Sequence, residues 1–174
     1  MKLNITFLTL ILPVFFSAQV IIGTGKTAPS NNFVSLEFGT ENKGIVLPMV
    51  SQTDINPQSV NGTFIFDPVA KEVMFLKNNV WTSLSNKAGK DNPINLNNQN
   101  MKSENENAKV SIGKPSSIPG ILVLEDTDKA MILPLVSEPH KNIINPTAGT
   151  LAYDTKNQML VVFNGTQWSF WKAD

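Results

Sequence analysis

Residues 43–51 read KGIVLPMVS and residues 129–137 read KAMILPLVS, so the two stretches align without a gap. Both are apolar runs of strand-like length that a proline interrupts, at Pro48 and at Pro134. Because proline cannot donate a backbone hydrogen bond, within sheets it is confined to edge strands, strand starts and bulges. The two stretches therefore predict equivalent edge or bulge segments in a β-rich chain.

The similarity continues along the chain in the same order. The further matches are Ile22-Gly23 with Ile112-Gly113, Pro29 with Pro119, Leu36-Glu37 with Leu124-Glu125, Asn56-Pro57 with Asn145-Pro146, residues 62–67 with residues 149–154, and Trp81 with Trp168. The offset varies only from 86 residues for Lys43 and Lys129 to 90 for Ile22 and Ile112. Self-similarity at a nearly fixed period is the signature of repeated structural units. The sequence therefore predicts two homologous units.

The repeat divides the chain into four predicted segments. These are a signal peptide at residues 1–19, a first unit at residues 20–84, a linker at residues 85–109 and a second unit at residues 110–174. The linker is rich in asparagine and nearly free of large apolar residues, which is typical of a flexible connection. A unit of about 65 residues buries only about 60% of its unfolded surface. We therefore expect the units to pack against each other or against other chains.

The pattern within each unit is that of short strands. Short apolar runs alternate with turn-forming asparagine, glycine, aspartate and proline, and no helical period is sustained. The predicted strands are residues 63–66, 73–76 and 80–84 in the first unit and residues 150–153, 159–163 and 167–171 in the second. Asn164-Gly165 is a strong hairpin signal, because both residue types tolerate a positive φ. The predicted fold is mainly β, with two small β-meander units joined by an asparagine-rich flexible linker.

The N-terminus has the three parts of a signal peptide. A cation at Lys2 precedes an apolar run over residues 5–16, and the small residues Ser17 and Ala18 follow it. The run is too short for a membrane anchor, which needs about 20 apolar residues. The sequence therefore predicts export to the periplasm, the outer cell surface or the extracellular space, without a membrane-spanning segment.

The composition excludes several classes of function. The chain has no cysteine, which removes disulfides, thiolate metal sites and thiol catalysis. Its 14 basic and 14 acidic residues create no field that would attract nucleic acid. His140 is the only histidine, so the chain cannot form a multi-histidine metal site or a hydrolase triad. We expect His140 in an exposed loop, and we expect neither a cofactor nor enzymatic activity.

A short glycine-rich stretch resembles part of a phosphate-binding loop. Residues 23–27 read GTGKT, and Gly-Lys-Thr closes the fingerprint of such loops. The fingerprint also requires a glycine five residues before the Gly-Lys pair, and that position is Val20. The stretch is therefore not expected to bind a nucleotide.

Two pairs of matching acids are candidates for chemistry. Asp67 and Asp154 invite comparison with catalytic or calcium-binding carboxylates. An aspartate at the start of a turn, however, commonly caps the backbone with its own side chain, which is the role we expect. Glu37 and Glu125 each follow a leucine that would point to the opposite face of a strand, so both are expected to face solvent.

The tryptophans separate into a structural pair and a candidate ligand contact. Trp81 and Trp168 occupy matching positions, and we expect both to pack in a core because an indole buries a large apolar area. Trp171 has Leu84 as its counterpart, so the repeat does not require an indole there. Trp171 and its neighbour Phe170 are therefore the candidate ligand contacts.

Leu47 and Leu133 are the candidate interface residues. Together with Ile45 and Met131 they lie in the proline-interrupted segments, and edge segments leave unpaired backbone to be covered. The two units of one chain could cover each other, which would give a monomer. Alternatively, matching segments of several chains could pair around a common axis. The sequence leaves both arrangements open.

The order of the motifs resembles modular extracellular fibre and adhesin-like β-repeat proteins of Gram-negative bacteria, and it is similar to segments of phage tail fibres. The motifs are Ile-Gly-Thr from Ile22, Leu-Pro from Leu47, Gly-Thr-x-x-Tyr-Asp from Gly149 and Asn-Gly-x-x-Trp from Asn164. The resemblance implies elongated, often trimeric surface or fibre assemblies to which no chemistry is assigned.

These inferences lead to one predicted function and two alternatives. The leading hypothesis is a secreted or surface-exposed structural or interaction module, fibre-like or adhesin-like, that self-associates through β-sheet contacts. The first alternative is a carbohydrate-binding module that uses exposed aromatic side chains, with a surface glycan or another surface protein as its partner. The second is a hydrolase with scattered carboxylates.

Overall fold

The structure is a computed structural model that describes residues 19–51, 53–55, 57–85, 94, 96, 108–113 and 117–172. Thirteen short strands and one short helix form within these residues, which confirms the predicted mainly β fold. In the same part of the chain no helix is long and apolar enough to cross a membrane. The predicted signal peptide and most of the predicted linker lie outside the described residues, so their boundaries stay predictions.

We keep the names first unit and second unit for residues 20–84 and 110–174, the two units that the sequence predicts. The first unit contains six strands. They are β1 (Val20–Ile22), β2 (Val34–Phe38), β3 (Ile45–Val46), β4 (Phe64–Asp67), β5 (Glu72–Lys77) and β6 (Val80–Ser83). The second unit contains seven strands and the helix. They are β7 (Val110–Ile112), β8 (Leu122–Leu124), β9 (Ala130–Met131), β10 (Leu135–Val136), α1 (Pro139–Asn142), β11 (Thr150–Asp154), β12 (Met159–Phe163) and β13 (Trp168–Trp171).

Each unit ends in an antiparallel meander, β4-β5-β6 in the first and β11-β12-β13 in the second. Leu76 faces Trp81 in the first meander, and Phe163 faces Trp168 in the second. The same offset of 87 residues, from Trp81 to Trp168, relates the β4-β5 pairs to the β11-β12 pairs. The two meanders therefore share one register.

The turn between β5 and β6 explains how the first meander reverses direction. Asn78 and Asn79 have φ angles of 51° and 59°. A two-residue turn with two positive φ angles matches the twist of a hairpin, and asparagine tolerates that conformation better than most residues. In the second meander Gly165, with a φ of 95°, provides the left-handed position.

Each unit also contains a pair of parallel strands that the sequence pattern did not predict. Ile22 pairs with Phe38 between β1 and β2, and Ile112 pairs with Leu124 between β7 and β8. Leu124 is therefore the structural counterpart of Phe38 and not of Leu36, which corrects the sequence alignment by two residues. A two-residue shift keeps every side chain on its original face of a strand, so the apolar pattern could not reveal it.

The proline-interrupted segments pair with strands of the opposite unit. In β3, Ile45 pairs antiparallel with Leu151 of β11. In β9, Met131 pairs in parallel with Leu36 of β2. The two units therefore share sheets within a single chain, which is the arrangement in which one unit covers the other.

A common core lies between the meanders. Its buried members are Leu47, Phe66, Val73 and Leu84 from the first unit and Ala148, Leu151 and Val162 from the second. Ile94, in the predicted linker, packs against this core. We call this set of residues the shared core.

Candidate interaction surface

The two candidate interface leucines contribute to the contact between the units. Leu47 is only 8% exposed, and its amide donates to the carbonyl of Gly149 over 3.1 Å. Leu133 is half-buried and packs against the shared core. Residues of the same chain therefore cover the side chain of Leu47 and part of that of Leu133, whereas the expected contact of these segments with other chains stays a prediction. A charge at Leu47 would therefore disturb the fold of the chain itself.

The two candidate ligand residues of the C-terminal strand lie on opposite faces of the sheet. Trp171 faces Leu160 and Phe170 faces Val161 across β12 and β13, and consecutive strand residues point to opposite faces. The indole N–H of Trp171 donates to the carbonyl of Leu84. The two rings therefore do not form one aromatic platform.

Phe170 contacts the short helix instead. Its ring meets the ring of His140 edge to face, with 5.5 Å between the centroids. His140 is exposed and lies within α1, so it is in a single helical turn and not in the loop that the sequence predicted. The contact leaves Phe170 about half exposed, at 44%.

An open groove of about 320 Å³ lies between the meanders beside Trp171. It is lined by Phe64, Phe75, Leu84, Leu160, Trp171 and Lys172. The rings of Phe64 and Phe75 stack with 5.9 Å between their centroids. The lining is mostly apolar, and the indole N–H already has a partner within the chain. The groove can therefore accept an apolar or planar group, but it provides few hydrogen bonds to a sugar.

Trp81 and Trp168 are half-buried outside the shared core. Trp81 faces Leu76, whose neighbour Phe75 packs against the shared core from the opposite face of β5. Trp168 packs against Phe163, with 5.2 Å between the ring centroids. The two indoles therefore lie on the faces of the meanders that point away from the shared core, where they are half-buried beside buried residues such as Leu76.

The matching aspartates cap turns, as their positions in the sequence predicted. The carboxylate of Asp67 accepts hydrogen bonds from the amides of Val69 and Ala70, at 2.8 and 3.0 Å. Asp154 accepts bonds from the amides of Lys156 and Asn157 in the same way, at 3.0 and 3.2 Å. Burial raises the pKa of Asp154, but the hydrogen bond from the Asn157 side-chain amide, at 2.8 Å, together with those from the backbone amides, outweighs burial and holds the pKa below its usual value.

Glu37 is buried, which corrects the expectation that it faces solvent. Its side chain is 1% exposed and forms an ion pair with Lys26. The amide and hydroxyl of Ser30 also donate to its carboxylate, at 2.8 and 2.6 Å. Burial raises the pKa of Glu37, but the bonds from Lys26 and Ser30 together leave it below the usual value. The lysine of the GTGKT stretch therefore balances an internal charge.

The GTGKT stretch also binds a second carboxylate of the chain, that of Glu41. The amide and hydroxyl of Thr24 both donate to one carboxylate oxygen of Glu41, at 2.8 and 2.7 Å. The hydrogen bond from the Thr24 side chain is the main cause that lowers the pKa of Glu41. A phosphate group would have to displace this carboxylate, so the geometry agrees with the expectation that the stretch binds no nucleotide.

Glu138 carries the most strongly shifted carboxyl group of the described chain. It has a positive φ of 46° and accepts bonds from Lys141 and Lys156, at 2.6 and 2.8 Å. These two ammonium groups lower the pKa of Glu138 to about 2. Glu138 also links α1 to the turn that Asp154 caps, because its amide donates to the Asp154 carboxylate. Among the described residues no three His, Asp or Glu side chains form a group that could hold a metal ion.

No pattern in the sequence predicted the polar contact that joins the units. The hydroxyl of Ser35 in β2 donates to the carboxylate of Asp126 over 2.5 Å. Lys129 lies 3.6 Å from the same carboxyl group. Ser35 and Asp126 belong to different units and have no motif in common. Ser35 lies in β2, and Asp126 lies four residues before β9, which pairs with β2.

A comparison with known protein families found a match for the second unit. Residues 109–173 match the model of a family described as a phage tail like trimerisation region. The match spans β7 to β13 and α1, and it supports the similarity to phage tail fibres that the motifs implied. No curated protein and no solved structure matched the chain.

Proposed function

We propose that the chain is a structural module of a fibre-like extracellular assembly and that it associates as a trimer. The observation that carries this proposal is the match of residues 109–173 to the phage tail like trimerisation region. The matched residues contain a complete meander together with the strands that pair with the first unit. The module would act through contacts between chains and would not catalyse a reaction.

The small sheet β7-β8 supports association, because it leaves apolar side chains uncovered. Val110 pairs with Leu122, and within the described chain this sheet has only two strands. Val110, Leu122 and the adjoining Ile121 are 57, 44 and 62% exposed. A two-stranded sheet is marginally stable at best in water, so a neighbouring chain would stabilise it. The sheet lies within the residues that match the trimerisation region.

We further propose that the protein is exported and works at the cell surface or outside the cell. The predicted signal peptide and the similarity to phage tail fibres support this location. An adhesin-like role, with a surface glycan or a surface protein as partner, belongs to the same proposal. The groove beside Trp171 gives the carbohydrate-binding alternative less support, because its lining has few groups that could bond to sugar hydroxyls.

The mass in solution tests the trimer. The chain from residue 20 onward has a mass of about 17 kDa, scaled from 19.1 kDa for 174 residues. Light scattering across a wide concentration range should give about three times this value, near 51 kDa. A mass of one chain at every concentration would contradict the proposed trimer. N-terminal sequencing of the protein from its native host would test export separately, because the mature chain should begin near Gln19 or Val20.

A further inference from the structure

The contact that joins the two units is a short antiparallel strand pair. Ile45 of β3 faces Leu151 of β11, and Val46 faces Thr150. The amide of Leu47 continues the pair by donating to the carbonyl of Gly149. The first unit thus donates a segment, residues 45–47, and the second unit accepts it along one edge of β11.

The first unit has the counterpart of this accepting edge. With the offset of 87 residues, Phe64 corresponds to Leu151 and Gly62 to Gly149. In its own unit β4 has the same neighbour as β11, because Met49 bridges to Phe66 as Leu135 pairs with Tyr153. No strand of the described chain, however, occupies the place on β4 that β3 occupies on β11.

Gly149 and its counterpart Gly62 also differ in what surrounds them, as the two edges do. A Cβ added at Gly149 would lie 3.7 Å from the amide nitrogen of Leu47, in the donating segment, and 2.9 Å from the Cβ of Phe66. A Cβ added at Gly62 would meet no atom within 4 Å. Among the described residues, nothing therefore covers the accepting edge formed by residues 62–64.

The second unit has the counterpart of the donating segment. With the offset of 86 residues, Met131 corresponds to Ile45 and Leu133 to Leu47. β9 lies at the edge of the sheet β1-β2-β9. The amide of Ala130 bonds to the carbonyl of Phe33, just before β2, and the amide of Ile132 bonds to the carbonyl of Leu36 in β2. Because successive backbone groups of a strand point to opposite sides, the backbone of Met131 faces away from β2, toward an edge that no described strand covers.

We propose that residues 131–133 of one chain pair antiparallel with residues 62–64 of a second copy of the chain. Met131 of one copy would face Phe64 of the other, which repeats the pairing of Ile45 with Leu151. Such a contact is head-to-tail, and a head-to-tail contact produces a closed ring when its rotation closes. The inference rests on the proposed function, because it names the edges through which the trimer forms.

One residue distinguishes the contact between chains from the contact within the chain. Gly44 lies so close to the second unit that a Cβ there would be 2.5 Å from the Cγ2 of Thr150. Its counterpart is Ala130, which carries that Cβ. The contact between chains must therefore be wider at this end, and it would be weaker than the internal contact. Assembly and disassembly of chains could then occur without unfolding the units.

Disulfide cross-linking tests the pairing directly, because the natural chain has no cysteine. The test variant carries Met131→Cys and Phe64→Cys, and the matched control carries Ile45→Cys and Leu151→Cys. Residues facing each other on antiparallel strands have Cα atoms about 5.5 Å apart or closer, which a disulfide can bridge. After mild oxidation, the test variant should form covalent species of two or more chains on a non-reducing gel. The control should form only an internal bond and stay at the mass of one chain.

Three results would overturn the pairing. The first is a protein that is trimeric by light scattering but whose test variant forms no bond. The second is an internal bond between the two test cysteines, and the third is equally efficient self-linking of the Met131→Cys variant alone. A second pair, Thr63→Cys with Ile132→Cys, repeats the test without changing Phe64. A single-chain mass before oxidation would instead contradict the proposed trimer, so the two failures are distinguishable.

Discussion

The amide of Leu47 donates to the carbonyl of Gly149, and this bond joins the two units of one chain. Gly149 has a φ of 82° and lies against Phe66 of the first unit. The contact therefore depends on a residue that has no side chain and can adopt a left-handed conformation. The units are coupled through their backbones as well as through the shared core.

A side chain at Gly149 should separate the units. Gly149→Ala would strain the backbone and place a Cβ 2.9 Å from the Cβ of Phe66. We expect a loss of unfolding free energy of about 2–4 kcal/mol, from left-handed strain together with overpacking. Urea denaturation of the monomeric chain at high dilution measures this loss. Gly62→Ala is the matched control, because it has a similar φ of 94° and open space, and its loss should be smaller by at least about 1 kcal/mol.

A charge at Leu47 should unfold the chain and not merely dissolve an assembly. Replacing a buried leucine by alanine costs about 2–5 kcal/mol, and a buried carboxylate without a partner costs more. We therefore expect Leu47→Asp to lose its β-type circular dichroism or to melt at a much lower temperature. Ile144→Asp is the control, because Ile144 is 77% exposed and its replacement should change stability by less than about 0.5 kcal/mol. A stable β-type spectrum for Leu47→Asp would contradict the position of Leu47 in the shared core.

The sequence predicted the meanders but not the way in which the units combine. Asn78-Asn79 and Asn164-Gly165 mark local turns, so the strands on both sides could be located from neighbouring residues alone. The pairing of Met131 with Leu36 joins residues that are 95 positions apart, from 36 to 131, and neither carries a signal for the other. Local patterns predict which segments form strands, whereas packing over the whole chain decides which edges meet.

At the candidate site too, local sequence patterns did not predict which side chains come together. Trp171 and Phe170 are neighbours in sequence, but alternation along β13 places them on opposite faces. Glu37 was expected in solvent because its strand was expected to have one exposed face. The Lys26 ammonium lies 11 residues earlier in the chain, on the connection between the parallel strands β1 and β2, and it forms the ion pair with Glu37. The sequence did not predict this parallel pairing, so it did not reveal that Glu37 is buried with a charged partner.

The ion pair of Glu37 should make stability depend on pH. The folded state holds the pKa of Glu37 below the ordinary value of 4.5. The charged form therefore stabilises the fold above pH 4.5, and this contribution is lost as the pH falls through the lowered pKa. Glu37→Gln should cost about 1–3 kcal/mol at neutral pH, because Lys26 and Ser30 lose a charged partner. The difference from the natural chain should shrink in acid.

Urea titrations at several pH values between about 3 and 7 would measure this difference. Lys26→Met is the companion variant, because it leaves the carboxylate buried with Ser30 but without its ammonium partner. In that variant the pKa of Glu37 should rise, and the loss of stability on acidification should become smaller. Equal pH dependence in the natural chain and in Glu37→Gln would contradict the role of this carboxylate.

The predicted linker, residues 85–109, should be the site at which a protease cuts the folded chain first. Brief trypsin treatment should cleave at Lys102 or nearby, because the asparagine-rich composition of residues 85–109 predicts a flexible linker. The sequence alone predicts that the cut leaves two fragments that resist further digestion. In the structure, however, β3 pairs with β11, β9 pairs with β2, and both meanders contribute to the shared core. We therefore expect the two fragments to stay together after the cut.

Size-exclusion chromatography of the nicked protein measures whether the two fragments stay associated. A denaturing gel is the control that cleavage is complete. The nicked and intact proteins should elute at the same volume, and the gel should show two fragments of similar size. Addition of urea should separate the fragments at a lower concentration than unfolds the intact chain, because the cut makes association of the units bimolecular. Two separately eluting folded fragments without urea would show that the strand pairs between the units contribute little. Early cleavage at Lys77 within β5 would instead contradict the boundary of the first unit.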